Sequence, residues 1–418
     1  MKTPILHCDL NGFFASVECM LDPSISHLPV AVGGNAEARR GIVLAKNEIA
    51  KKYKIRTGEA LWQAKQKCPQ LHFIKPTFQR YIDFSKAAQK IYHDYSDKIE
   101  SFGIDECWLD VSTSSLLHKD GEEIANIICK RVKKELGITC SIGVSWNKTF
   151  AKLGSDMKKP NAVTVITPKN YQDCVWQLPV EKLFYIGFAT TKKLKSIGVY
   201  TIGALAQLDL IFIRRMLGKH GDLIWHYANG LDRAPVHRLG WQTTIKGIGN
   251  STTTPYDLTN NIEVKRIFYM LADSVARRLR KHDFRSKLVQ IWIRSNDLTG
   301  FERQAPLDKP TCLTNEIAES AYELFLSNYN WHKPIRSLGI RASSLCSFNE
   351  DRQYDLFDCE QKRERLEKLE YCIDAIKSRF GSKIITRALL AKEQTKISAN
   401  EGQPTFMHSM EISQADMI

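Results

Sequence analysis

Phe102-Gly103-Ile104-Asp105-Glu106-Cys107-Trp108-Leu109-Asp110 is the stretch on which the reading of this chain turns. Two adjacent acids stand between apolar runs that read as strands near 99–103 and 107–111. Neighbouring side chains on a strand point to opposite faces. Asp105 and Glu106 can serve one site only if the chain bends there, and Gly103 can permit that bend. Acids set in apolar strands are costly unless neutralised. Hard divalent cations such as Mg²⁺ neutralise them through oxygen ligands. A third acid, Asp9, ends a short apolar run over residues 4–9. The residues alone leave a second reading open, with Asp9 as a strand-end cap and Asp105 and Glu106 at a solvated turn. Asp110 reads as a turn-former before Ser112.

Outward from these acids, strands and helices alternate. Strands are expected near 29–33, 41–45, 138–145 and 162–166, and helices near 47–54, 59–67, 79–96, 121–135 and 148–158. This order predicts a sheet backed by helices, an α/β or α+β layer structure. Residues 168–232 read as helical with short glycine turns. Residues 243–345 read as strand, helix, two strands, helix and strand. Beyond Leu345, Leu366, Leu369, Ile373, Ile376 and Phe380 recur at near-heptad spacing, an amphipathic helix expected to pack on its own chain. Residues from about 392 onward read as a flexible end.

The chain has 418 residues, 60 Lys plus Arg against 46 Asp plus Glu, and a formal net charge of +14. Its 43% apolar content supports real cores and excludes wholesale disorder. Residues 346–418 hold 11 basic and 13 acidic side chains, so their net charge is −2 and +16 falls on residues 1–345. A basic body favours polyanionic partners, nucleic acid first. No run of about 18 apolar residues suggests a membrane span. Eleven cysteines without a C-x-x-C pair read as reduced thiols in a cytoplasmic protein.

Three motifs then carry a resemblance. Asp9-Leu10-Asn11-Gly12-Phe13-Phe14-Ala15-Ser16-Val17-Glu18, Gly103-Ile104-Asp105-Glu106, and Gly143-Val144-Ser145-Trp146-Asn147-Lys148-Thr149-Phe150-Ala151-Lys152-Leu153 with Asp156-Met157-Lys158-Lys159-Pro160-Asn161 resemble, in order and spacing, the motifs of Y-family (translesion) DNA polymerases. The similarity runs from residue 4 to about 345. It implies an α+β multidomain right hand: palm at 1–10 and 76–167, small fingers at 11–75, a helix-hairpin-helix thumb at 168–232, a βαββαβ little finger at 243–345, and a tail at 346–418.

The resemblance implies two Mg²⁺ ions held by the catalytic acids Asp9, Asp105 and Glu106, with the Leu10 backbone carbonyl as a further ligand. The incoming dNTP would meet Phe13, Phe14, Lys51 and Lys159. Phe14 is the expected steric gate against a ribose 2′-hydroxyl, and Phe13 is expected to be helix core. The fingers depart from the family pattern, since Asn47-Glu48-Ile49-Ala50-Lys51 stands where Asn-Tyr-Glu-Ala-Arg is usual. Lys51 keeps the charge without the bidentate fork.

Primer-template DNA is expected at Gly187 and Ala189 of the hairpin, and at Arg277, Arg278, Arg280, Lys281, Arg285 and Lys287 of the little finger. Gln353-Tyr354-Asp355-Leu356-Phe357 resembles the pentapeptide that docks bacterial polymerases on the sliding clamp, with Gln353, Asp355, Leu356 and Phe357 as contacts. The expectation is a monomeric bacterial enzyme, cytoplasmic and nucleoid-associated on DNA, that extends primers with low fidelity. Two rivals stand beside it: a catalytically weak or inactive DNA- and clamp-binding paralogue, and a different palm-type enzyme such as a nucleotidyl cyclase.

Overall fold

The computed structural model describes residues 4–34, 41–112, 120–238, 241, 244–348, 360–382 and 384–390. They divide into two compact units, one within Met1–Gly34 and Ile42–Thr243 and one within Thr244–Gln403.

The first unit opens with β1 (Ile5–Leu10), α1 (Phe13–Leu21), β2 (Val30–Gly33), β3 (Val43–Lys46), α2 (Glu48–Lys52), α3 (Leu61–Lys67), β4 (His72–Ile74) and α4 (Phe78–His93). It continues with β5 (Ile99–Ser101), β6 (Glu106–Asp110), α5 (Gly121–Leu136), β7 (Cys140–Ser145), α6 (Lys148–Met157) and β8 (Val163–Val165). Its main sheet has the order β5-β6-β1-β7-β8.

All of β1 is buried, because the central strand is covered on both faces. Leu6, Cys8 and Leu10 enter the core shared with Tyr81, Ile91, Ile124 and Ile128 of α4 and α5. On the other face Ile5 joins Trp108 and Ala151, so α6 packs where His7 and Asp9 also point. That packing needs Gly143 on β7: a Cβ there would lie 1.9 Å from the Ala151 carbonyl oxygen. Asn147 caps α6 by accepting from the Phe150 N–H at 2.8 Å.

A smaller sheet, β3-β2-β4, carries α2 and α3. Helices α7 (Tyr171–Val175), α8 (Phe188–Ser196), α9 (Ile202–Ala206), α10 (Leu210–Leu217) and α11 (Lys219–Ala228) complete the unit. They pack around Val175, Leu194, Ile202, Leu205 and Ile224.

The second unit contains β9 (Gly247–Leu258), α12 (Asn261–Lys281), β10 (Phe284–Ser295), β11 (Gly300–Thr311), α13 (Thr314–Asn328), β12 (Ile335–Ser347) and α14 (Glu360–Phe380). The antiparallel sheet β11-β10-β12-β9 buries Val289, Ile291 and Ile293 against Phe268, Leu271 and Phe325 of α12 and α13. Alternation along β10 therefore turns Gln290, Trp292 and Arg294 to the opposite, partly open face.

Helix α14 corrects an expectation. Its apolar stripe points outward: Leu366, Leu369, Ile376 and Phe380 are exposed. Its charged stripe, Glu367, Glu370 and Lys377, is the buried one. The reason is specific pairing: these side chains and Asp374 meet Arg285, Arg280 and Asp273.

Candidate active site

The pairing of β1 with β6 brings the acids together, setting Asp9 opposite Glu106 and His7 opposite Trp108. Asp105 stands at the adjoining turn, where the Leu10 N–H donates to its carbonyl at 3.1 Å. The bend expected at Gly103 is present, with φ +89 and the Phe102 N–H donating to the Glu106 carbonyl at 2.8 Å. Such a φ favours glycine.

Two lysines close the cluster. Lys159 donates to Asp9 Oδ2 at 2.5 Å and pairs with Asp156 at 2.7 Å. Lys152, one turn along α6 from Lys148, donates to Glu106. Its ammonium also lies 4.9 Å from the Phe102 ring and 5.8 Å from the Phe184 ring. Beneath them His7 is fully buried, 2.8 Å from Ser155 Oγ and 3.5 Å from Glu106 Oε2.

Burial raises Asp9 to about 6; Lys159 opposes the rise and Glu106 adds to it. Burial, then Glu106 and Asp9, raise Asp105 to about 7. Burial and the Lys152 charge pull His7 down to about 3, so it stays neutral at ordinary pH. The strand reading missed His7 and Lys152. The usable signals were the two-residue spacing of His7 and Asp9 on β1, and the four-residue spacing of Lys148 and Lys152 on a helix.

Phe13 lies in the core. Phe14 is half-buried and stacks on Tyr81 with centroids 4.2 Å apart and an interplanar angle of 12°. The Tyr81 hydroxyl donates to Glu18 at 2.7 Å, and Arg80 pairs with the same carboxylate at 3.0 Å, so the ring behind Phe14 is braced. Asn47 is a cap: its side chain accepts from the Ala50 and Val30 N–H groups. Glu48 and Lys51 form an exposed pair at 3.5 Å, which neutralises the glutamate on its own helix.

Gly187 and Ala189 are exposed at the N-terminus of α8, beside Phe188 at 87% exposure. In the second unit the basic segment behaves less uniformly than expected. Lys281 and Lys287 are exposed and Arg277 is half-buried. Arg278 donates to the Gly249 carbonyl at 2.8 Å. Arg280 and Arg285, expected to reach DNA, are buried instead. Arg280 donates to Asp374 at 2.6 Å. Arg285 lies 3.3 Å from Glu367 and 3.9 Å from the Phe348 ring centroid. Carboxylates of α14 hold both guanidinium groups where phosphate was expected. Residues 353–357 lie outside the described residues.

The impB/mucB/samB family matches residues 8–156, and the C-terminal domain of that family matches residues 245–356. The chain belongs to the Y-family of DNA polymerases. It is 51% identical to DNA polymerase IV of Acetivibrio thermocellus, across 94% of this chain and 99% of that one. It is 35% identical to DNA polymerase IV 1 of Bacillus subtilis, across 96% and 97% of the two chains. A solved Y-family DNA polymerase chimera shares the fold with a TM-score of 0.72 at 21% identity, covering 82% of this chain and 99% of its own. The polymerase is thus a DNA-directed DNA polymerase of the translesion type.

Family membership implies divalent metal use, and the residues fit it. All three acids offer hard oxygen donors. Two are held above the usual carboxylate range, first by burial and then by neighbouring carboxylates. Lysine ammonium groups already sit on Asp9 and Glu106 as cations. Among the described residues no three His, Cys, Asp or Glu side chains converge at ligand spacing.

Proposed function

We propose that the β5-β6-β1-β7-β8 layer is the palm of this polymerase, and that Asp9, Asp105, Glu106 and the Leu10 carbonyl hold two Mg²⁺ ions there. What supports this reading is the cross-strand pairing of Asp9 with Glu106, with Asp105 at the turn beside them. When bound, the two ions would activate the primer 3′-hydroxyl and offset charge on the leaving pyrophosphate. The chain's own residues do the rest. Lys159 leaves Asp9 for the triphosphate tail, which a point charge suits. Lys51 is a second phosphate contact. Phe14, backed by Tyr81, walls the sugar site at the 2′ position. His7, neutral and buried, fills the floor under Glu106.

We assign the β3-β2-β4 layer to the fingers, α7–α11 to the thumb and the second unit's sheet and helices to the little finger. The exposed N-terminus of α8 at Gly187 and Ala189 suits a DNA phosphate. Arg277, Lys281 and Lys287 contribute sequence-independent attraction. The partly open sheet face bearing Gln290, Trp292 and Arg294 is a further DNA surface, missed in the sequence because it shows only as strand alternation. Residues 353–357 serve as the sliding-clamp peptide of a monomeric cytoplasmic enzyme.

Primer extension with purified full-length protein, Mg²⁺ and dNTPs tests the reading. Asp105→Asn should abolish extension and leave DNA binding within about twofold, since a net charge lost from an acidic pocket does not weaken phosphate contacts. Absent extension in the unaltered protein would instead favour the inactive paralogue.

A further inference from the structure

We propose that the outward face of α14 is a docking site for an acidic-flanked amphipathic α-helix of a partner protein. Residues 366, 369, 373, 376 and 380 alternate spacings of three and four, the a/d pattern of a coiled-coil seam. Four of the five are exposed, Leu369 at 54% and Phe380 at 61%. The seam cannot turn inward without cost. Rolling the helix would strip Arg280 of Asp374 and Glu370, Lys377 of Asp273, and Arg285 of Glu367.

The flanks specify the partner's chemistry. Lys362, Arg365, Lys368 and Arg379 are exposed around the seam, whereas Glu367 and Glu370 are buried and Glu364 and Asp374 half-buried. Acidic residues at the partner's flanking positions would complement this face. A second copy of the chain would set Arg365 and Arg379 against their own kind, which disfavours self-association. A narrow a/d stripe also suits a helix better than a membrane, which takes a broader apolar face.

The test uses full-length protein and two fluorescent 21-residue helical peptides with the same leucine a/d seam, one with glutamate and one with lysine at the flanks. Anisotropy should show the glutamate peptide binding at least tenfold tighter than the lysine peptide, with affinity falling as salt rises. The double variant Leu369→Glu, Ile376→Glu should lose that binding. Its thermal unfolding and primer extension should not change, because both side chains are exposed and remote in sequence from the acids. The proposal is overturned if neither peptide binds or if both bind equally. It is equally overturned if sedimentation shows dimers abolished by the same variant, or if the protein binds anionic phosphatidylglycerol vesicles through these residues and ignores the peptides.

Discussion

Phe14 owes its placement to one position in a helix. Phe13 turns into the core while its neighbour faces the edge, stacked on a tyrosine that Glu18 and Arg80 hold still. Phe14→Ala should raise ribonucleotide incorporation by at least about tenfold, the scale set by small misfits in a pocket. Competing dNTP and rNTP insertions measure it, and unchanged sugar discrimination would remove Phe14 from this role. A second expectation concerns the acids. Folded-state values of about 6 for Asp9 and about 7 for Asp105 lie above the ordinary 3.8. The unfolded chain therefore releases these protons at lower pH than the folded one. Metal-free stability should fall as pH rises from about 4 to 7, by on the order of a few kcal/mol. Melting in chelator at pH 5 and pH 8 tests the sign: a higher melting temperature at pH 8 contradicts it, and Asp105→Asn should flatten the slope.

Between α12 and α14 the decisive contacts are ionic. The Arg280 side chain is 1% exposed and is shared by Asp374 and Glu370. Arg280→Ala removes the guanidinium from Asp374 and leaves Glu370 to Arg387, and should cost about 3–5 kcal/mol in urea unfolding. A loss below about 1 kcal/mol would mean that water reaches the pair freely. Similarly, Gly143→Ala should destabilise by about 1–3 kcal/mol or more, because its Cβ would overlap the α6 backbone. These elements mark how far the sequence could be read. The bend at Gly103 was legible because one glycine determines it, whereas the meeting of Asp9 with Glu106 rests on the long-range β1–β6 pairing and was expected only through the resemblance. Arg280 and Arg285 were misassigned because their burial depends on carboxylates 82 to 94 residues further on. A run of basic residues has the same appearance in sequence whether it meets phosphate or a glutamate. The direction of the α14 stripe was misjudged for the same reason: ion pairing outweighed apolar periodicity.

Charge is the property of the whole molecule that matters most for DNA. With +16 on residues 1–345, non-specific binding should follow counterion release. Affinity for primer-template should fall by about a thousandfold or more between 50 and 200 mM salt, as expected for roughly six or more neutralised phosphates. A flat salt dependence in filter binding would deny the basic body its role. Lys281→Glu should weaken binding on every sequence alike, whereas Arg280→Gln in protein that still folds should barely alter it. That contrast separates the exposed cation from the buried one within a single segment.

The hold of Lys159 on Asp9 carries a consequence for how the pocket idles. Without a nucleotide, the carboxylate already has a counter-ion belonging to the protein, so stray metal must compete for it. On the reading proposed above, an arriving triphosphate would draw the ammonium away, and Asp9, left bare, would be free to hold a metal ion. A single side chain's change of allegiance would thereby couple loading of the ion to arrival of a complete substrate, and an idle enzyme would be spared from gathering metal it cannot use.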